Sequence, residues 1–248
     1  GLEGVFQAKG KAFTGVLNGV DYAEWNTTDN PHLAAAYSAD APDGKAVNKA
    51  ALQHELGLSP LDDIPLFGNI SRFAEQKGLD LLLGALEEQL RGGASFQFAG
   101  LGSGDPWLKE AMRGLAGRFP GQVAVTIGYD NALAHRIEAG SDFFVMPSRF
   151  EPCGLNQLYS LRYGAVPVVR ATGGLEDSII DLGQGDETAT GIKFADCSVE
   201  ALGQALGQAV ALYADRSRLA KVRENGMRAD FSWDQTTAEY ERLYAAIS

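Results

Sequence analysis

VAVTIGYDNALAHRIEAGSDFFVMPSRFEPCGLNQLYSLRYGAVPVVRATGG (123–174) is the stretch whose reading decides the fold. It holds the short apolar runs VAVTIG (123–128), DFFVMP (142–147) and VPVVRA (166–171), separated by helical patterns over 131–138 and 155–163. Each run is rich in β-branched or aromatic residues and gives way to turn-forming residues, which reads as a strand. Their near-continuous apolarity fits strands covered on both faces, as in a parallel sheet. Working outward, the same alternation holds. PLFGNI (65–70) and SFQFAG (95–100) precede the stretch, GIKFA (191–195) follows it, and helices are expected at 79–90, 105–118 and 174–181. Leu79, Leu82, Leu83, Leu86 and Leu90 mark the apolar stripe of the first of these. The pattern predicts right-handed βαβ units in an α/β, doubly wound, Rossmann-like parallel sheet. Beyond Asp196 the chain turns helical, at 198–213, 215–229 and 234–247. Before Pro65 it reads as turns and short pieces around one amphipathic helix, KAVNKAALQHELG (45–57), closed by Gly57. The opening GLEGVFQAKGKAFTGV shows neither a strong strand nor a capped helix, and starting on Gly1 it reads as cut from something larger.

Composition narrows the function. With 21 Lys+Arg against 32 Asp+Glu the formal charge is −11, which repels nucleic acid and anionic membranes. An anionic small ligand needs its own cations, and Arg72 and Arg149 are the candidate centres. Cys153 and Cys197 are too few for a disulfide framework and lack zinc-binding spacing, so a reducing cytosol is the simplest compartment. His32, His54 and His135 are scattered, and no metal site is expected. No apolar run approaches the roughly 18–20 residues that span a bilayer, and no signal peptide opens the chain.

Unusual residues fall at the carboxyl ends of the expected strands, where open α/β sheets bind ligands. Ser71-Arg72 and Lys77 follow the first, GLGSG (100–104) the second, and Tyr129-Asp130 the third. Ser148 to Gly154 follow the fourth, and Thr172-Gly173-Gly174 the fifth. Arg72 and Lys77, five apart across a strand-to-helix turn, can reach one phosphate-bearing ligand; ordinary surface solvation is the alternative. Thr172-Gly173-Gly174 is either a close backbone approach to an anion or an ordinary strand–helix turn. GLGSG lacks the spacing of a dinucleotide fingerprint and reads as a tight turn lining a nucleotide. Glu151 can accept hydrogen bonds from sugar hydroxyls or simply favour a helix start. Cys153 has no triad partner and reads as a small wall residue.

SRFEPCGLNQLYSLRYGAVPVVRATGGLEDSI (148–179) resembles the signature of bacterial glycogen synthases and plant starch synthases, which are retaining GT-B glycosyltransferases. NGVDYAEWN (18–26), SRFAEQKGLDLL (71–82), IGYDNALAHRI (127–137) and FSWDQTTAEYERLY (231–244) have counterparts in order. The resemblance implies the C-terminal half of a two-domain fold. Residues 1–17 would be a remnant of the N-terminal domain or linker, 18–230 the nucleotide-sugar-binding domain, and 231–248 a helix packing back on the missing N-terminal domain. It implies ADP-glucose as donor, no further cofactor, and an α-1,4-glucan as acceptor, in the cytoplasm or, in a plant, a plastid. Arg72 and Lys77 would hold the donor diphosphate, and Glu151 would engage the sugar. Cys153, Gly154 and Leu155 would line the sugar pocket through their backbone, with Thr172, Gly173 and Gly174 at the phosphates. Tyr129 would lie against adenine, and Ser71 and Gly102 complete the binding set. The family's lysine-glycine loop and sugar-contacting histidine are absent, RFAEQKG stands where RLTxQKG is commoner, and Tyr159 occupies the second position of a wider E-x7-E pattern. Two other readings stay open: a nucleotide-binding module without catalysis, and a related transferase using UDP-sugars.

Overall fold

The computed structural model describes residues 3–247. In chain order the elements are α1 (Glu3–Lys9), α2 (Gly44–Leu56), β1 (Leu66–Phe73), α3 (Leu79–Arg91), β2 (Gln97–Gly104), α4 (Pro106–Arg118), β3 (Val123–Ile127) and α5 (Asn131–Gly140). They continue with β4 (Phe143–Met146), α6 (Asn156–Arg162), β5 (Val166–Arg170), α7 (Gly173–Ser178), β6 (Ile192–Phe194), α8 (Val199–Ala214), α9 (Arg216–Arg228) and α10 (Trp233–Ile247). Six strands form one parallel sheet in the order β3-β2-β1-β4-β5-β6, the doubly wound arrangement expected.

Apolarity on both faces of each strand produces the layers. Phe67, Phe98, Phe143, Val145 and Val168 point into the core under α3, α4, α8 and α9. Their neighbours Leu66, Ala99, Phe144, Met146 and Val169 point into the core shared with α2, α5, α6 and α7. The chain order reverses between β1 and β4. Those two strands pair only at Phe67↔Phe143 and Gly68↔Phe144, so beyond Gly68 they part and open a crevice at their carboxyl ends. Buried Asn69 bridges the gap, donating Nδ2 to the Val145 carbonyl at 2.8 Å.

Four local expectations are corrected. GLGSG is the last half of β2, paired with β1 as far as Phe73↔Gly104, and not a turn. A side chain at Gly102 would sit 2.0 Å from the Ser71 carbonyl and 2.5 Å from the Phe73 ring, so glycine lets the two strands run on together over buried Phe73. The inner face of α2 is mostly polar rather than apolar: Lys45, Asn48, Lys49 and Gln53 are buried beside Leu52. Gly57 does close that helix, in the left-handed region at φ 67°. The opening segment contains the short helix α1.

The histidines are the fourth correction. His32 and His135, 103 positions apart in sequence, come together with ring centroids 5.1 Å apart. Trp25 stacks on His135 at 4.2 Å and, on its other side, on Tyr159 at 3.7 Å. His135 Nδ1 lies 2.8 Å from the Tyr163 hydroxyl and 3.2 Å from Asn30 Nδ2, whose Oδ1 accepts from the His32 amide, an arrangement that suits an unprotonated, accepting Nδ1. Burial, aided by the charge of His32, pushes the His135 pKa down from 6.5 to about 4. A depressed histidine pKa favours the folded state above the unfolded value and withdraws that support as pH falls through the folded one. Stability is therefore expected to drop between pH 6.5 and about 4, by at most ~3 kcal/mol. Urea midpoints of the wild type and His135→Phe at pH 7 and pH 4.5 check this: the variant should show the shallower pH slope, and equal slopes would refute the assignment.

Candidate functional site

A cavity of about 660 Å³ occupies the crevice where the strand order reverses. β1 contributes Asn69 to Arg72, β2 contributes Leu101 to Ser103, and the β3–α5 turn contributes Gly128 to Asp130. The opposite wall comes from the β4–α6 loop: Ser148, Glu151, Gly154, Leu155 and Asn156. A cavity of this size suits a nucleotide-sized ligand.

The sequence-predicted residues converge here. Arg72 lies on β1 itself, with Nη2 donating to Gln76 Oε1 at 2.9 Å and no carboxylate in ion-pair range among the described residues. Lys77 closes a single 3-10 turn, Glu75–Lys77. That turn is tied to the β4–α6 loop by Arg149 N donating to the Gln76 carbonyl at 2.8 Å and Gln76 Nε2 to the Phe150 carbonyl at 3.2 Å. As a result Lys77 Nζ meets Glu151 Oε2 at 2.5 Å. Ser148 Oγ donates to the same oxygen at 3.1 Å. Both contacts fall on Oε2, and among the described residues no donor reaches Oε1. The floor of the cleft therefore carries one buried carboxylate with spare acceptor capacity beside two cations. Ser71, Gly102, Gly154 and Leu155 line the same cavity. Tyr129 stands 92% exposed at the mouth because Asp130, next to it, turns inward to accept from Leu133 N at 2.8 Å and cap α5.

Cys153, Thr172, Gly173 and Gly174 adjoin this wall: Gly174 is buried, Cys153 and Thr172 half-buried, and Gly173 exposed at the start of α7. Gly174 N donates to the Glu151 carbonyl at 3.0 Å, and a side chain at Gly174 would lie 2.0 Å from the Cys153 carbonyl. The glycines allow β5–α7 to back the loop closely. Cys153 Sγ accepts from Asn18 N at 3.4 Å. Arg149, the other expected cation centre, is spent elsewhere in a two-pronged pair with Asp80 at 2.7 and 2.8 Å. That pairing holds the guanidinium above its ordinary range. Sequence reading missed Asn69 and Asn156, and gave Ser148 a place at a strand end but no role. Asn156 Nδ2 donates to the Ile70 carbonyl at 2.5 Å and fastens α6 to β1. Asn69 had a signal, a carboxamide inside an otherwise apolar strand. Among the described residues no group of three or more His, Cys, Asp or Glu is placed to hold a metal.

Fold and cleft define an α/β domain with a nucleotide-sized cavity, lined by Arg72 and Lys77, at the topological switch point of its sheet. The family model for "Glycosyl transferases group 1" matches residues 64–211, and the chain belongs to that family. The expected likeness to glycogen and starch synthases is borne out. A glycogen synthase of Rhodospirillum rubrum is 49% identical over 248 residues, all of this chain and 50% of the relative. One from Thioalkalivibrio sulfidiphilus is 49% identical over 98% of this chain and 51% of its own length. The chain thus spans about half the length of these curated relatives. Among solved structures, the catalytic domain of starch synthase IV from Arabidopsis thaliana, bound to ADP and acarbose, superposes with a TM-score of 0.90 at 37% identity. That match covers 99% of this chain and 51% of that one. A C-terminal domain of a group 1 family protein from Francisella tularensis shares the fold, with a TM-score of 0.59 at 18% identity over 90% of this chain and 98% of that one. No helix among the described residues is long and apolar enough to cross a membrane.

Proposed function

We propose that this chain is the donor-binding half of a retaining α-1,4-glucan synthase, holding ADP-glucose for transfer to the non-reducing end of a glucan. The observation that carries the reading is the meeting of Arg72, Lys77 and Glu151 across one cleft at the switch point. Likeness to a starch synthase solved with ADP supports the nucleotide. In this reading Arg72 and Lys77 take the diphosphate, replacing the Lys77–Glu151 contact in part. Glu151 turns its free oxygen to the sugar hydroxyls, and Tyr129 covers the adenine. Departure of ADP builds negative charge on the diphosphate while the anomeric carbon gains oxocarbenium character. Two fixed cations at the leaving group lower that barrier by several kcal/mol, as preorganised donors do at other sites. The cleft's other carboxylate, Asp130, is engaged in capping α5, so among the described residues none is paired with Glu151 for a glycosidase-like double displacement. The transfer is therefore read as front-side, with the departing phosphate taking the acceptor proton.

The partner in this reading is a second α/β domain closing over the cleft, met by the exposed face of α10 that carries Trp233 and Tyr240. Residues 1–17 and 231–248 are the connections to it. Two free cysteines suit a reducing cytoplasm or plastid.

Calorimetric titration of the chain with ADP, ADP-glucose, UDP and UDP-glucose tests the reading. ADP and ADP-glucose should bind, and Arg72→Ala should weaken both roughly tenfold, the loss of one charge-assisted contact. Tighter binding of the UDP pair would replace the donor, and no nucleotide binding would overturn the proposal.

A further inference from the structure

The β4–α6 loop is held in an unusual way. Its carbonyls are taken from behind, one after another. Arg170 donates Nε to the Ser148 carbonyl at 2.8 Å and a terminal nitrogen to the Arg149 carbonyl. Gln76 takes the Phe150 carbonyl and the Gly174 amide the Glu151 carbonyl. Gln157 Nε2 takes the carbonyls of Cys153 at 2.9 Å and Gly154 at 3.1 Å. The amide groups are the opposite case: among the described residues nothing accepts from the N–H groups of Glu151, Cys153, Gly154 or Leu155. Glu151 is buried and Cys153 and Gly154 are half-buried, and buried backbone groups are nearly always paired, so this stretch, its carbonyls spent and these amides unspent, is built to meet a ligand rich in oxygen. Gly154 and Leu155 bring those donors to the cavity wall.

We infer that Gln157 is a positioning residue that turns the Gly154 and Leu155 amides toward the sugar end of the donor. The inference rests on the donor reading above and names the residue that shapes its sugar subsite. Gln157 is fully buried, and its orientation is fixed. Ser178 Oγ, which donates to the Gly174 carbonyl at 2.5 Å, is 3.2 Å from Nε2 and must accept from it. Three acceptors thus crowd the amide nitrogen, while Oε1 is buried with no hydrogen-bond partner. Isolated buried acceptors are rare in native proteins. Here the orphaned oxygen is the consequence of pointing the nitrogen at two loop carbonyls. A leucine of similar size would fill the space and release both carbonyls, freeing the loop to rotate its amides away from the cleft.

The experiment compares two ligands on the same chain. Calorimetry with ADP and with ADP-glucose is run on the wild type, Gln157→Leu and Gln157→Glu, with thermal melts to confirm folding. Gln157→Glu keeps the shape but sets a carboxylate against the two carbonyls, and it serves if the leucine variant does not fold. The expected result is an ADP affinity within twofold of wild type and an ADP-glucose affinity reduced by roughly tenfold or more, since the lost contacts are those to the sugar. A parallel loss for both ligands would mean that Gln157 merely supports the fold, and an unchanged ADP-glucose affinity would mean that it does not shape the subsite. Either result overturns the inference while leaving the donor reading intact. Failure of the wild type to bind either ligand would remove the donor reading and the inference together.

Discussion

Lys77→Ala is expected to cut glucosyl transfer by an enzyme carrying this chain by about 10²–10³-fold, the usual loss for one preorganised donor at a developing charge. The argument runs through position. Lys77 reaches the cleft from a 3-10 turn pinned to the β4–α6 loop, and Glu151 holds its ammonium at the cleft floor before any ligand arrives. A fixed cation needs no reorganisation as the diphosphate departs, and its effect falls on kcat more than on binding of the acceptor. The same substitution has a second consequence that Arg72→Ala lacks. Glu151, whose side chain is 7% exposed, loses its ion-pair partner and keeps only Ser148, a loss worth about 1–3 kcal/mol of stability. Arg72 is exposed and among the described residues is bonded only to Gln76, so Arg72→Ala should melt with the wild type while losing comparable turnover. Adding Glu151→Gln to Lys77→Ala should restore melting temperature but not turnover. Wild-type turnover in Lys77→Ala would sink the assignment of the leaving-group cations.

Most of the framework was legible in the residues themselves. Phe143-Phe144-Val145-Met146 is apolar at every position because both faces of β4 are covered, and such a run between helical patterns fits a buried parallel strand. The ends of those runs located the cleft. Three things were illegible, each for a stated physical reason. The extension of β2 through Gly102 and Gly104 was hidden because glycines ordinarily weaken strands, and here they answer to a neighbouring ring and carbonyl. The fate of Arg149 was hidden because Asp80, its partner in the first turn of α3, lies 69 positions away, and no spacing rule reports a contact between a loop and so distant a helix. The polar inner face of α2 was hidden because lysines are read as solvated; what buries Lys45 and Lys49 is a set of carbonyls and one carboxylate supplied by distant strands and helices. In the site, charge and position singled out Arg72, Lys77 and Glu151, whereas the set of donors behind the loop, Arg170 and Gln157, depends on contacts that only the folded chain makes.

The carboxylate that receives Lys49 carries the largest expected effect on stability. Asp142, at the start of β4, accepts from Lys49 Nζ at 2.8 Å, from Arg223 at 2.5 Å and from Leu66 N at 2.9 Å. It joins α2, β1 and α9 at one buried point, and through Lys49 the hydroxyl of Tyr213 on α8 as well, at 2.6 Å. Burial alone would raise the Asp142 pKa, but the charges of Arg223 and Lys49 outweigh it and hold the carboxyl below the ordinary carboxylate value. A lowered carboxylate pKa means stabilisation that is complete above the unfolded-state value near 3.8 and disappears as pH falls through the lower folded value. Asp142→Asn keeps the shape and can still accept from Leu66 N, yet it leaves two cations facing each other without their counter-ion. Removing one partner of a buried ionic group costs about 3–5 kcal/mol, which for a domain of this size corresponds to a melting temperature lower by roughly 10 °C. The variant should also lose the acid limb of its stability curve that this carboxyl contributes. Pairing Asp142→Asn with Lys49→Met separates charge from packing: if the uncompensated ammonium is the cause, the second substitution recovers part of the loss. A single variant that melts within 2 °C of the wild type would show that the three elements are joined by apolar packing alone and that the buried ions are incidental.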